Sequence, residues 1–271
     1  MGEEVGVTPS SERESATYLY CLVQRARAPV LSRAPRGLPA TGPVRAIDAG
    51  GGLWLVAADA PLARYGAEAV ERGLKDLDWV SACALAHEAV IEYCARAGTA
   101  LPMKLFTMFS TDERALAHIT RLRPALGRIV KAVAGRQEWG VRIRLDAGEA
   151  RARVRERAAK SSGDTTSGTH FLRLKKQEQQ AVRDALEQGR SGVDSAYEAL
   201  AGLADDARRR PPDAGEVGAR LVLDAAFLVT PAKLPRFKTA AKKAAAGLAP
   251  HGYALTLSGP WPPYNFVTGL G

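Results

Sequence analysis

The sequence predicts an α+β protein of two domains. The first is a ferredoxin-like antiparallel sheet with two helices; the second is smaller, α+β and helix-rich. Three observations predict it. Over the first half, β-branched and aromatic segments alternate with two long helical patterns. Between 147 and 168 the composition turns basic, then small and polar. Strand-like and helix-like segments resume beyond it. Domains are therefore expected at 17–147 and 169–271, with a disordered lead over 1–16 and a flexible linker over 148–168. A chain of 271 residues is long enough for one or two domains and has the volume for a sizeable core.

Thr17 to Val23, "TYLYCLV", has the content of a buried strand. Residues 25–43 carry Pro29, Pro35, Pro39 and Pro43 and read as a loop. Val44 to Asp48, Gly50-Gly51-Gly52 and Leu53 to Ala58 read as a hairpin, because glycine supplies positive φ at a tight turn. Asp76 to Ala97 is a helix: Leu77, Val80, Ala84, Ile91 and Cys94 recur at helical spacing, and Gly98 can close it. Ala100 to Phe109 is a strand with Pro102 near its start. Ser110 and Glu113 form a capping box for a second helix, which carries Leu116, Ile119, Leu122, Leu126, Ile129, Val130 and Val133. "EWGVRIRL", 138–145, alternates apolar and charged residues as a half-buried strand and closes the first domain.

In the second half, helices are expected at 170–188 and 193–210, the latter stopped by Pro211-Pro212. "ARLVLDAAFLV", 219–229, is a strand. A basic amphipathic helix follows over 231–246, with Leu234, Phe237 and Ala241 inward and Lys233, Lys238, Lys242 and Lys243 outward. "YALTLSG", 253–259, is the last strand.

Lys and Arg exceed Asp and Glu by 38 to 29, a formal charge of +9 that favours acidic partners. Cys21, Cys83 and Cys94 are odd in number and lack CxxC spacing, which points to a reducing compartment. The first sixteen residues have no apolar core of a signal peptide, and no apolar run approaches the roughly 20 residues of a membrane span, so the chain is expected in the cytoplasm.

Motifs for chemistry are incomplete. Gly163 and Gly168 have the spacing of a phosphate loop, but Thr169 stands where its lysine belongs, so a linker is the better reading. Cys83, His87 and Cys94 share one helix face, but Cys83 and Cys94 lie about 16 Å apart along the axis, too far for one ion. Neighbouring His87 and Glu88 point about 100° apart, so His87 reads as a satisfied core or interface histidine rather than half of an acid–base pair. No GxSxG or HExxH occurs. No catalytic, cofactor-binding or metal residue is assigned. Arg151 to Lys160, Arg208-Arg209-Arg210 and the lysine face of 233–243 leave a nucleic-acid-binding module as the alternative. The aromatics are not interleaved with those runs, as single-strand stacking requires.

Four segments together resemble the GvpL/GvpF family of gas vesicle proteins: "YLYCLV" (18–23), "AHEAVIEYC" with "LPMKLFTMF" (86–94 and 101–109), "EWGVRI" (138–143) and "GPWPPYNF" (259–266). The chain departs from the family at Leu105-Phe106, where the family pattern has Phe-Gly. The resemblance implies an accessory protein of vesicle formation and not an enzyme. Its implied partners are the small hydrophobic shell protein and other vesicle accessory proteins, in the cytoplasm in association with gas vesicles. Trp261, Pro262, Pro263 and Tyr264 match the family's closing motif and are the candidate partner-binding residues, beside the helix over 231–246. A Pro-rigid aromatic segment directly after a strand is also expected to fold back over its own domain.

Overall fold

The computed structural model describes residues 14–146, 189–211 and 220–267, with the isolated positions 148, 152, 176, 180 and 187. The basic run 151–160, the glycine pair 163 and 168, most of the linker and of the 170–188 helix, and the lead over 1–13 lie outside the described residues. The chain divides into two compact units, Met1–Ala134 with Val267–Gly271, and Gly135–Phe266.

In the first unit, β1 (Ser15–Gln24) is buried over residues 16–23 and lies at the centre of the sheet. It starts within the expected lead, since Ser15 and Ala16 already pair with Pro61 and Ala60. The strands β2 (Arg45–Asp48), β3 (Leu53–Pro61) and β4 (Thr99–Pro102) complete an antiparallel sheet in the order β2-β3-β1-β4. That is the strand order of a ferredoxin-like sheet. The proline-rich segment after β1 stands where such folds place their first helix, because proline there removes donors and fixes φ. Gly50, Gly51 and Gly52 all take positive φ between β2 and β3.

Two short helices, α1 (Leu62–Tyr65) and α2 (Ala67–Gly73), lead to α3 (Leu77–Ala95). Asp76 caps α3 by accepting from the amides of Asp78 and Trp79. The inward residues of α3 are Cys83, His87, Val90, Ile91 and Cys94. The two cysteines serve different neighbours: Cys94 meets the Cys21 thiol, and Cys83 meets Tyr65.

His87 is the centre of a closed network. The Met103 carbonyl can only accept, so His87 Nε2 donates to it at 3.1 Å. Nδ1 then accepts from the Tyr18 hydroxyl at 2.7 Å. Burial pushes the imidazole pKa down to about 4, outweighing the Met103 contact. His87 is a neutral, satisfied core histidine. Tyr18, Tyr20 and Cys21 all reach α3 because a bulge between Leu19 and Cys21 breaks the strict alternation of β1.

The strand expected over 100–109 is two strands. β4 ends at Pro102, a turn follows, and β5 (Met108–Phe109) pairs with the start of β1. Phe106 in that turn has φ of 64°, a left-handed conformation that costs a side-chain-bearing residue about 1–2 kcal/mol. Its ring stacks on Trp79 at 5.2 Å, with 11° between planes. This is the position where the resembled pattern has glycine.

α4 (Asp112–Val133) is capped by Thr111, whose hydroxyl accepts from the Arg114 amide. The cap is one residue later than the Ser110 box expected from sequence. Asp112 sits under Arg45 and Thr17 at 2.7 Å each. Burial raises its carboxyl, but these hydrogen bonds outweigh burial and hold it below the usual carboxylate range.

The second unit corrects the expected domain boundary. β6 (Gln137–Leu145) belongs to the second sheet, hydrogen-bonded to β8 (Arg220–Val229) on one side and β9 (Tyr253–Trp261) on the other. The division therefore falls between Ala134 and Gly135, not over 148–168, and the two units are of nearly equal length. Alternating residues reveal a half-buried strand but not which sheet takes it. β7 (Asp206–Arg210) pairs with β8 and completes the order β7-β8-β6-β9. The helix expected over 193–210 is shorter: residues 189–201, here α5, are helical, and Asp206–Arg210 is strand.

One face of this sheet is its core. Trp139, Val141 and Ile143 stand beside Phe227, Ala225 and Leu223 in register. They pack with Val193, Ala196 and Leu200 of α5 and with Phe237, Ala241 and Leu248 of α6 (Leu234–Leu248). Burying the Val, Leu, Ile and Phe side chains among them contributes about 1.5–3 kcal/mol each. Among the described residues, no helix is long and apolar enough to cross a membrane.

Candidate functional site

The closing segment is built on the other face of the second sheet. Glu138, Arg142, Asp224, Arg208 and Arg210 alternate with the core residues of their strands and so share that face. Trp261 pairs with Glu138, and Ser258 with Gly140, which puts both on the same side. The lysine-bearing helix α6 lies on the core side, where Lys238 Nζ sits 4.4 Å from the centre of the Trp139 ring. The aromatic segment and α6, neighbours in the sequence reading, thus occupy opposite faces of one sheet.

Beyond Trp261 the chain turns and is clamped. The Asn265 amide donates to Glu138 Oε2 at 2.9 Å, and the Asn265 side chain donates to Oε1 at 2.5 Å. Arg208 Nη1 donates to the Asn265 carbonyl at 2.6 Å, and the same guanidinium lies 5.0 Å from the centre of the Phe266 ring. Glu138 and Arg208 therefore grip one residue from both sides. Phe266 is only 5% exposed, and Pro262 and Pro263 are buried. The segment closes over its own unit and is not a free polyproline ligand.

Of the four candidate residues, Trp261 is 37% exposed and Tyr264 half-buried, while the two prolines are enclosed. The Trp261 indole N–H donates to Ser258 Oγ at 3.3 Å, leaving its ring presented to solvent. Sequence reasoning missed Glu138, Arg208 and Asn265 as the residues that fix this arrangement. The available signal was a carboxylate at the buried start of β6, which needs a partner.

Burial raises the Glu138 carboxyl above its ordinary value, against the lowering effect of Asn265 and the two arginines. A raised folded-state pKa means that Glu138 adds stability below its unfolded value of about 4.3, and that this is lost as pH rises through the folded value. Glu138→Gln keeps one acceptor for Asn265 and turns an N–H donor toward another donor. It is expected to lower stability by about 1–2 kcal/mol. Urea unfolding of both proteins at neutral and mildly acidic pH tests this: the deficit of the variant should widen as pH falls. A deficit that shrinks toward acid would contradict the assignment.

The arginine run expected to track phosphates is occupied. Arg208 holds the tail, Arg210 pairs with Asp224, and Arg209 bonds Asp194 while stacking 4.1 Å from the Tyr197 ring centre. Lys233 bonds Asp205 at 2.8 Å. These cations serve the fold rather than a polyanion.

A family model described as "Gas vesicle synthesis protein GvpL/GvpF" matches residues 16–268. A curated relative, Gas vesicle protein L of Streptomyces sp. (strain CB03234), is 28% identical over 221 residues, spanning 80% of this chain and 80% of its own. The crystal structure of the gas vesicle protein GvpF from Anabaena sp. PCC7120 superposes with a TM-score of 0.65 at 19% identity, over 94% of this chain and 96% of that one. GvpF from Microcystis aeruginosa gives 0.64 at 17% identity, over 93% and 99%. Both share this chain's fold.

Proposed function

The chain belongs to the GvpL/GvpF family of gas vesicle synthesis proteins, and on that premise we propose that it acts in vesicle assembly by holding the small hydrophobic shell protein through its closing segment. The observation that carries this reading is the exposed Trp261 ring on a segment pinned by Glu138 and Arg208. An aromatic fixed in advance loses little conformational freedom on binding, which favours it as an anchor. A shell subunit with a gas-facing apolar surface aggregates unless that surface is covered before assembly. On this reading the protein works in the cytoplasm beside growing vesicles, contacts other accessory proteins there, and performs no catalysis.

Co-expression with the shell protein of the same genome tests the proposal. Soluble shell protein should co-purify with the wild-type chain. Trp261→Ala with Tyr264→Ala should weaken retention about tenfold or more, since truncated aromatic hot spots cost about 2 kcal/mol or more. Unchanged retention by a variant with a wild-type melting curve would refute the assignment to this segment.

A further inference from the structure

We propose that a cleft in the C-terminal unit is a docking site for an acidic, aliphatic peptide segment of a partner protein. The cleft measures about 420 Å³ and opens where β6 ends and β8 and β9 begin, beside α5. Leu145, Val193, Leu221 and Val222 give it apolar walls. Arg190, Arg209 and Arg220 line it, with Asp194 the single carboxylate among the described lining residues.

The three guanidinia are not equivalent. Arg209 is spent on Asp194, Glu198 and the Tyr197 ring. Arg136, Arg142, Arg208 and Arg210 of the same unit also have carboxylate or carbonyl partners. Arg190 and Arg220 have no ion-pair partner among the described residues. They converge instead on Tyr253, whose hydroxyl feels both positive charges, though burial is the stronger influence on it. The Tyr253 ring is itself fixed, because Gly189 packs so closely that an added Cβ would lie 2.1 Å from it.

Two uncommitted guanidinia over a fixed ring and an aliphatic wall select a carboxylate joined to an apolar group. A Glu or Asp next to Leu or Val in an extended segment meets that description. Arginine pairs bind carboxylates with short, charge-assisted hydrogen bonds, and the walls reward the neighbouring aliphatic side chain. Charge complementarity favours the same occupant, since the chain carries a formal +9. The site is separate from the Trp261 segment, so it stands or falls independently of the shell-protein reading.

Fluorescence polarisation with the full chain tests the cleft. The probe is a short labelled peptide alternating leucine and glutamate. Controls replace its glutamates with glutamine, or its leucines with serine, and an oligonucleotide of equal charge is the polyanion control. The Leu–Glu peptide should bind, each peptide control should bind about tenfold more weakly, and Arg190→Gln with Arg220→Gln should weaken binding about tenfold. Both arginines are exposed, so the double variant should keep its melting temperature, which is checked alongside. Equal binding by wild type and double variant, by the peptide and either control, or by the oligonucleotide, would overturn the proposal. So would no binding of the Leu–Glu peptide.

Discussion

Gly259→Ala is expected to lower stability by about 2–4 kcal/mol, combining backbone strain of about 1–3 with overpacking of similar size. Gly259 has φ of 127°, a conformation that residues with a side chain rarely adopt. A Cβ there would lie 2.9 Å from the Glu138 carbonyl and 3.2 Å from the Trp139 ring. Neither neighbour can yield. Trp139 is held in the core beside Phe227, and Glu138 is pinned by Asn265. The substitution should therefore release the closing segment as well as weaken the unit. Urea denaturation gives the first quantity, and limited proteolysis beyond Trp261 the second. A loss below about 0.5 kcal/mol, the ordinary range for an unremarkable surface change, would contradict the described backbone.

The second large effect is expected at Asp224. This residue lies on the face of the sheet opposite α5 and α6, with its side chain 11% exposed between Arg210 on one neighbouring strand and Arg142 on the other. Its Oδ1 accepts from Arg210, and its Oδ2 lies 3.5 Å from Arg142 Nε. Asp224→Ala removes the one charge that separates two cations and leaves the Arg210 guanidinium, already with a buried unpaired Nε, without its acceptor. The expected cost is about 2–3 kcal/mol, since hydrogen bonds to buried charged groups are the expensive ones to leave unmade. Asp224→Asn should fall between, because its amide oxygen can still accept from Arg210. Thermal unfolding of both variants checks the order; an alanine variant as stable as wild type would remove Asp224 from the set of structural ion pairs.

Much of the fold was legible because its signals are local. The strand at 17–23, the hairpin around the three glycines, the helix after Asp76, the apolar strand at 219–229 and the amphipathic helix over 231–246 all announce themselves within a few residues. What was not legible depends on distant pairing. The alternation of Val141, Ile143 and Leu145 marks a strand, but its ladder with residues 220–229 and 253–261 assigns it to the second sheet. Asp206–Arg210 reads as the end of the helix expected over 193–210, stopped by Pro211-Pro212. It is a strand because its backbone pairs antiparallel with β8, from Asp206 opposite Leu228 to Arg210 opposite Asp224, and its three arginines then find separate partners in Asn265, Asp194 and Asp224. The aromatic tail was visible, yet the carboxylate that clamps it lies 127 residues away. Nothing in the local sequence of either partner names the other.

Phe106 bears on how this chain can drift. Its ring rests on Trp79, and its backbone takes a shape that glycine adopts freely. A change to glycine relieves the backbone and, in the same step, strips Trp79 of its stacking platform. A change at position 79 does the reverse: it leaves the strained Phe106 backbone with only the Tyr65 ring, 6.5 Å away, as an aromatic neighbour. Neither residue is free to move alone at no cost, so the two form a single unit of inheritance. Trp79 also lies 6.1 Å from the Tyr65 ring and covers Gly73, so losing Phe106 takes away one of its neighbours while the others still hold it.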